Sequence, residues 1–393
     1  MKVLLALTPC LAVFFTIFVL RFNGLLAAAS ATLASLLLWV SSAFGPGSAA
    51  GLGRALLDML LLMLIVASVL VPGLFFVEVT RRRGAPLAVA TLVHSLKLPV
   101  QRATILTTIG IGVFVESLTG MGVSLLVTMP LLLEQVPRRQ AIGLGLVGMG
   151  LMPWGALALP SVLGAKLSGI SETDFGQAAW LLSAPWALLL PTLASLIAHQ
   201  AGETRFRSGL AAAIGIGLLL TSVMGVATWA AGIEVAGVLG GSAVILTLTL
   251  FNNSTDFAGR TKLPSGVWPY AVLVILVVVQ KPLFAALSAR NLAPHLSTDR
   301  LSWSVLSTPG LALCATAVAT SVHVFDRTLF TSVATRIWRP LLATALFLLS
   351  ARLLIEIMGQ PDAGGGVAMT KGPVPTGWRL SALSGFVAKS VPW

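Results

Sequence analysis

Apolar residues fill this chain in long blocks, and short polar or basic stretches separate them. A helix that crosses a bilayer needs about 20 such residues. Twelve blocks come near that length: 3–20, 24–44, 55–79, 103–118, 121–136, 140–165, 178–200, 208–231, 235–251, 267–289, 304–325 and 340–358. The expected fold class is an all-α polytopic membrane protein with about 10–12 hydrophobic segments. Two blocks, 103–118 and 121–136, are short and meet at "LTGMG", which reads as a re-entrant or broken-helix hairpin as readily as two crossings. After 358 the pattern stops, and the Gly/Pro-rich stretch 359–393 is expected to be a flexible tail or the mark of a chain cut short. The organisation expected is N-terminal membrane helices over 1–80, a broken-helix core over 81–200, further membrane helices over 201–358, and the tail.

Composition agrees with the pattern. The mean hydropathy is +0.96 and only 10% of the 393 residues are charged, against about a quarter in soluble proteins. A water-soluble particle of this length is excluded, and the lipid bilayer is the first partner. The first block follows Lys2 as a signal peptide would. It lacks a small-residue cleavage site, and Arg21 and a second block follow at once, so it reads as a membrane helix. The net charge of +12 invites nucleic acid, but basic cytoplasmic loops account for it and no nucleic-acid partner is expected. Cys10 and Cys314 sit in apolar runs, and His94, His199, His295 and His323 are scattered, so neither metal nor cofactor is expected.

Loop charge sets the expected orientation. Arg81, Arg82 and Arg83, Lys97 with Arg102, Arg138 with Arg139, Arg205 with Arg207, Arg260 with Lys262, and Arg327, Arg336 and Arg339 form a basic set. They alternate with poorer loops holding Arg54, then Lys166 near Glu172 and Asp174, then Glu234, then Arg290 with Arg300. By the positive-inside rule the basic set is cytoplasmic and the N-terminus lies outside, in a bacterial inner membrane. The polar loop with Asn252, Asn253, Ser254 and Asp256 then falls in the cytoplasm, so its N-x-S/T patterns carry no glycan. Arg352 and Glu356 stand four apart in the last span and are expected to pair on one helix face. Tryptophans such as Trp39, Trp268 and Trp338 lie near span ends, as interface anchors do.

Candidate chemistry begins at Glu116, in "FVESLTGMGVSLLVTMP". A carboxylate at mid-bilayer costs several kcal/mol, so such acids usually face a cavity or a partner. Desolvation favours the neutral form of a carboxyl, which suits a proton carrier. Ser117, Thr119, Gly120, Gly122 and Ser124 follow it. A break there would expose backbone N–H groups at a new helix N-terminus, ready for an anion. The alternative for the acid is a structural hydrogen bond to a neighbouring helix, and for the small residues close helix packing. Downstream, Gly143, Gly145, Gly148 and Gly150 thin one helix, and Pro153, Trp154, Gly155 and Pro160 interrupt the next run. Two broken elements so close together are what a midplane binding site requires.

From "FVESLTGMG" through "RRQAIGLGLVGMGLMPWGALALPSVLGAKLSGISETDFGQ" the chain resembles the lactate permease family over about 65 residues, and more weakly from about 55 to about 358. The resemblance implies a secondary carrier of L-lactate and related 2-hydroxy acids, moved with protons, with a two-repeat, elevator-like architecture. It implies a substrate and proton site at Glu116, Ser117, Thr119, Gly120, Gly122, Ser124, Trp154, Gly155 and Pro160. Carriers of this kind are often dimers, which adds a second copy of the chain to the expected partners. Where the family pattern has an Asn–Thr pair before the second break, this chain has Gly148–Gly150. A second broken element near the C-terminus, usual in the family, has no counterpart before Trp393. The other expectation is therefore a truncated or degenerate carrier that no longer transports. Enzyme motifs of the paired-acid, Ser/His or Walker type are absent from the sequence, and no enzymatic activity is expected.

Overall fold

A computed structural model describes residues 2–41, 44, 48–120, 122–200, 206–251, 266–290, 292–298, 300–321 and 326–358. The polar loop at 252–265 and the tail from 359 lie outside them. The protein is an all-α polytopic membrane protein. Eight helices among the described residues are long and apolar enough to cross a membrane: Ala49–Arg82, Val100–Thr119, Arg138–Ser168, Glu172–His199, Gly209–Ala230, Ile233–Leu250, Trp268–Ala289 and Arg327–Met358. Shorter apolar helices cover Thr8–Val19, Gly24–Val40, Ala85–Ser95, Val123–Gln135 and Gly310–Ser321. Every apolar block in the sequence thus contains a helix. Apart from a two-residue antiparallel ladder, Leu296–Ser297 with Ser302–Trp303, the described residues hold no sheet.

The chain divides into two compact units, one with the described residues of Met1–Leu57 and Leu346–Trp393, the other Asp58–Ala345. Both boundaries fall inside long helices, Ala49–Arg82 and Arg327–Met358, and not in the loops that the sequence offered as breaks. In the smaller unit the Ser35 and Ser350 hydroxyls meet at 2.8 Å and Thr32 donates to the Leu346 carbonyl at 2.7 Å. Such side-chain bonds hold helices together in lipid, where apolar contact alone gives little preference. Glu356 accepts from Nε and Nη2 of Arg54 at 3.1 and 2.6 Å, so the arginine placed in a loop by the sequence reading is a partner of this acid.

In the larger unit, Glu78 is 3% exposed and accepts from Arg81 at 2.7 Å and Arg82 at 3.1 Å, while Arg336 stands 3.6 Å away. The carboxylate sits among three arginines, as a charge taken out of water must. The main core gathers Ile109, Leu144, Trp154, Leu190, Leu220, Ala236 and Val244, all essentially inaccessible, with residues from neighbouring helices. It surrounds the broken elements on which the site is built.

Candidate functional site

Val100–Thr119 and Val123–Gln135 are the two limbs of a hairpin. Between them, Gly120 has φ 68° and ψ −172°, and Gly122 has φ 77° and ψ 11°. The first pair of angles is open essentially to glycine alone. Side chains align the limbs: the Gln135 amide donates to Thr107 at 3.0 Å near the open end, and Ser124 meets Glu116 at 2.8 Å near the tip. Thr128 lies between them, 3% exposed, with its hydroxyl on the Ser124 carbonyl at 3.0 Å. Between these polar contacts the limbs pack apolar side chains, Leu106, Ile111 and Val115 of the first with Val127 and Leu131 of the second. In the first limb, Leu106–Ile111 is π-helical, a local widening often found at functional positions.

The next helix, Arg138–Gly148, runs back along the hairpin. Gly145 passes Leu125 and Met129, Gly148 passes the Thr108 carbonyl, and Met149 reaches Ser124 and Gly122. The span then breaks. Met149–Trp154 is a 3₁₀ turn with Leu151 off the helical region, and Ala156, Leu157 and Ala158 are left-handed, at φ 48°, 55° and 54°. Each such L-residue costs roughly 1–2 kcal/mol, so packing must hold the turn. All three are buried, with Ala156 against Gly120. The tip of the hairpin meets the middle of the Arg138–Ser168 span, and both breaks fall where irregular backbone is buried in protein.

Glu116 is 3% exposed and reaches across the tip. Its Oε1 accepts from the Gly122 N–H at 3.0 Å; its Oε2 accepts from the Ser124 N–H at 3.3 Å and from the Ser124 hydroxyl at 2.8 Å. Gly155 borders it, and a Cβ there would lie 3.5 Å from Oε1. A carboxylate thus sits on the free amides of a helix N-terminus, where the helix dipole also favours negative charge. From the sequence alone those amides are open to an outside anion. In the structure the occupant is the chain's own acid, because the turn is tight enough for residue 116 to fold back onto residues 122 and 124.

The other expected site residues divide. Gly120, Gly122, Ser124 and Gly155 form the cradle with Glu116. Ser117 is buried but faces Gly237, and the Thr119 hydroxyl donates to the Val115 carbonyl at 2.6 Å, within its own helix. Trp154 is a core residue, 1% exposed, whose indole N–H donates to Ser183 at 3.2 Å. Pro160 is exposed and touches none of these groups by hydrogen bond. Its ring stands just after the left-handed turn, where a new helical run begins and a missing N–H is harmless.

Contacts that the sequence does not show complete the surroundings. Gly237 and Gly241, four apart on Ile233–Leu250, admit Ser117 with Trp154 and the Phe114 backbone respectively. Small residues at that spacing let helices approach closely. Lys281 binds Glu234 at 2.6 Å, and Lys166 binds Glu172 at 3.0 Å. The "VVVQKPLF" interruption of an apolar run was the available signal for Lys281. Among the described residues no group of three His, Cys, Asp or Glu could hold a metal. Comparison with protein-family models, with curated proteins and with solved structures found no match.

Proposed function

We propose that the protein is a secondary transporter of small organic anions, lactate- or glycolate-like monocarboxylates, carried in symport with protons across a bacterial inner membrane. The observation that carries the reading is the Glu116 carboxylate lying on the Gly122 and Ser124 donors at the meeting of two broken elements. Those donors fit a carboxylate of any origin. While Glu116 is ionised, it fills them. A proton on Glu116 removes the charge that the amides favour, and a substrate carboxylate then takes its place. Anion and proton enter together, and neither is favoured alone. The resemblance to lactate permeases supports the same substrate class.

The orientation from loop charge puts the open end of the hairpin, flanked by Lys97, Arg102 and Arg138, on the cytoplasmic side. In proteoliposomes, an inward proton gradient should drive L-lactate uptake, and a protonophore should abolish it. Uptake that ignores the protonophore would reject proton coupling; absence of uptake for any monocarboxylate would favour the non-transporting alternative.

A further inference from the structure

The left-handed turn that presses Ala156 onto Gly120 has a second face. On that face Leu157 lines a cavity of about 120 Å³, room for several water-sized groups. Two helix-borne lysines and two acids line it. Lys281 lies well inside the apolar helix Trp268–Ala289, where a charge faces the protein interior or a wet cavity and takes a partner. Its ammonium holds Glu234, which is 5% exposed and belongs to the first turn of Ile233–Leu250. Gly232, at φ 98°, brings backbone so close that a Cβ would stand 3.0 Å from Nζ and 2.9 Å from the Glu234 Oε2. Across the cavity, Lys166 from Gly155–Ser168 pairs with Glu172 of Glu172–His199, and its Nζ also donates to the Ser302 carbonyl at 3.2 Å. These four are the charged groups facing the cavity among the described residues, and their charges cancel. Leu157, Leu159 and Phe284 supply apolar wall.

We propose that this cavity is an outer binding site for a small monocarboxylate, which reaches it before the Glu116 cradle. The inference rests on the transport reading. A carboxylate with a short apolar tail matches an ammonium set in leucine and phenylalanine. Lys281 gives up Glu234 and takes the ligand carboxylate; Glu234 takes a proton, so no unpaired charge is left buried and the cavity stays neutral. The exchange repeats at Glu234 what protonation does at Glu116, one on each side of the same turn. By loop charge, Lys166, Glu172 and Glu234 lie toward the exterior, the opposite side from the open end of the hairpin.

The test needs no transport. With the exposed Cys10 and Cys314 changed to serine, Ser307→Cys places a thiol in the cavity lining. L-lactate should slow its alkylation by N-ethylmaleimide in the detergent-solubilised full chain. Lys281→Gln should raise the half-protecting lactate concentration at least tenfold. So should Glu234→Gln/Lys281→Gln, which leaves no lone charge and guards against misfolding of the single variant. Glu116→Gln should leave protection unchanged, which separates this site from the cradle. Protection that survives in the double variant, vanishes in Glu116→Gln, or is absent in the parent overturns the proposal. A protein that shows protection but no uptake would reject the transport reading and keep the site.

Discussion

Glu116→Gln should abolish proton-driven accumulation of L-lactate while sparing lactate–lactate exchange. A gradient of one pH unit corresponds to about 1.4 kcal/mol, enough for about tenfold accumulation with one proton per anion. The parent should approach that ratio and the variant should stay at about one. The reason lies in what the glutamine keeps and loses. Its carbonyl can still accept from Gly122 or Ser124, so the tip should remain folded. It carries no negative charge, competes weakly for the donors and cannot exchange a proton. Substrate can then enter and leave without a proton, which is exchange without coupling. Loss of exchange and accumulation together, in a variant that melts as the parent does, would mean that Glu116 contacts substrate and does not gate it.

The second large effect is on the turn itself. Gly120→Ala should destabilise the protein by on the order of 3 kcal/mol or more, read from denaturant or thermal unfolding in detergent. Two penalties combine: a φ of 68° with ψ of −172°, and a Cβ that would stand 2.6 Å from the Ala156 Cβ and 2.9 Å from its backbone nitrogen. Because Ala156 belongs to the strained left-handed turn, little can yield. Gly122→Ala is the control. Its φ is also positive, at 77°, but the nearest atom to an added Cβ is the Met149 Cε at 3.6 Å. Its cost should stay near 1–2 kcal/mol. Equal costs at the two positions would show that the two broken elements do not press together at Gly120.

Much of this architecture is written locally. Block lengths announced the helices, and the glycines at 120 and 122 announced the hairpin tip, since only a positive φ turns the chain there. The second interruption was also legible, in the run from Pro153 to Pro160, but its cause was not. Proline was the obvious breaker, yet the chain turns at Leu151 and at Ala156–Ala158, ordinary residues forced left-handed by what surrounds them. Propensity cannot show a conformation that packing imposes. Contacts across long separations were hidden for a similar reason. Lys281 and Glu234, Arg336 and Glu78, and Arg54 and Glu356 each meet only once helices have assembled. The destination of the Glu116 side chain belongs between these cases. Its donors are six and eight residues away, near enough to be suspected, but the cradle exists only when both glycines have turned.

The transport expectations descend from one event, the replacement of the Glu116 carboxylate by a substrate carboxylate once Glu116 takes a proton. Infrared difference spectroscopy of the purified protein, with and without L-lactate, observes it directly. With the outer cavity silenced by Glu234→Gln/Lys281→Gln, lactate should bring up a protonated-carboxyl stretching component that a further Glu116→Gln change removes. Lactate binding with no such component, or with one that the glutamine variant leaves intact, would contradict the account.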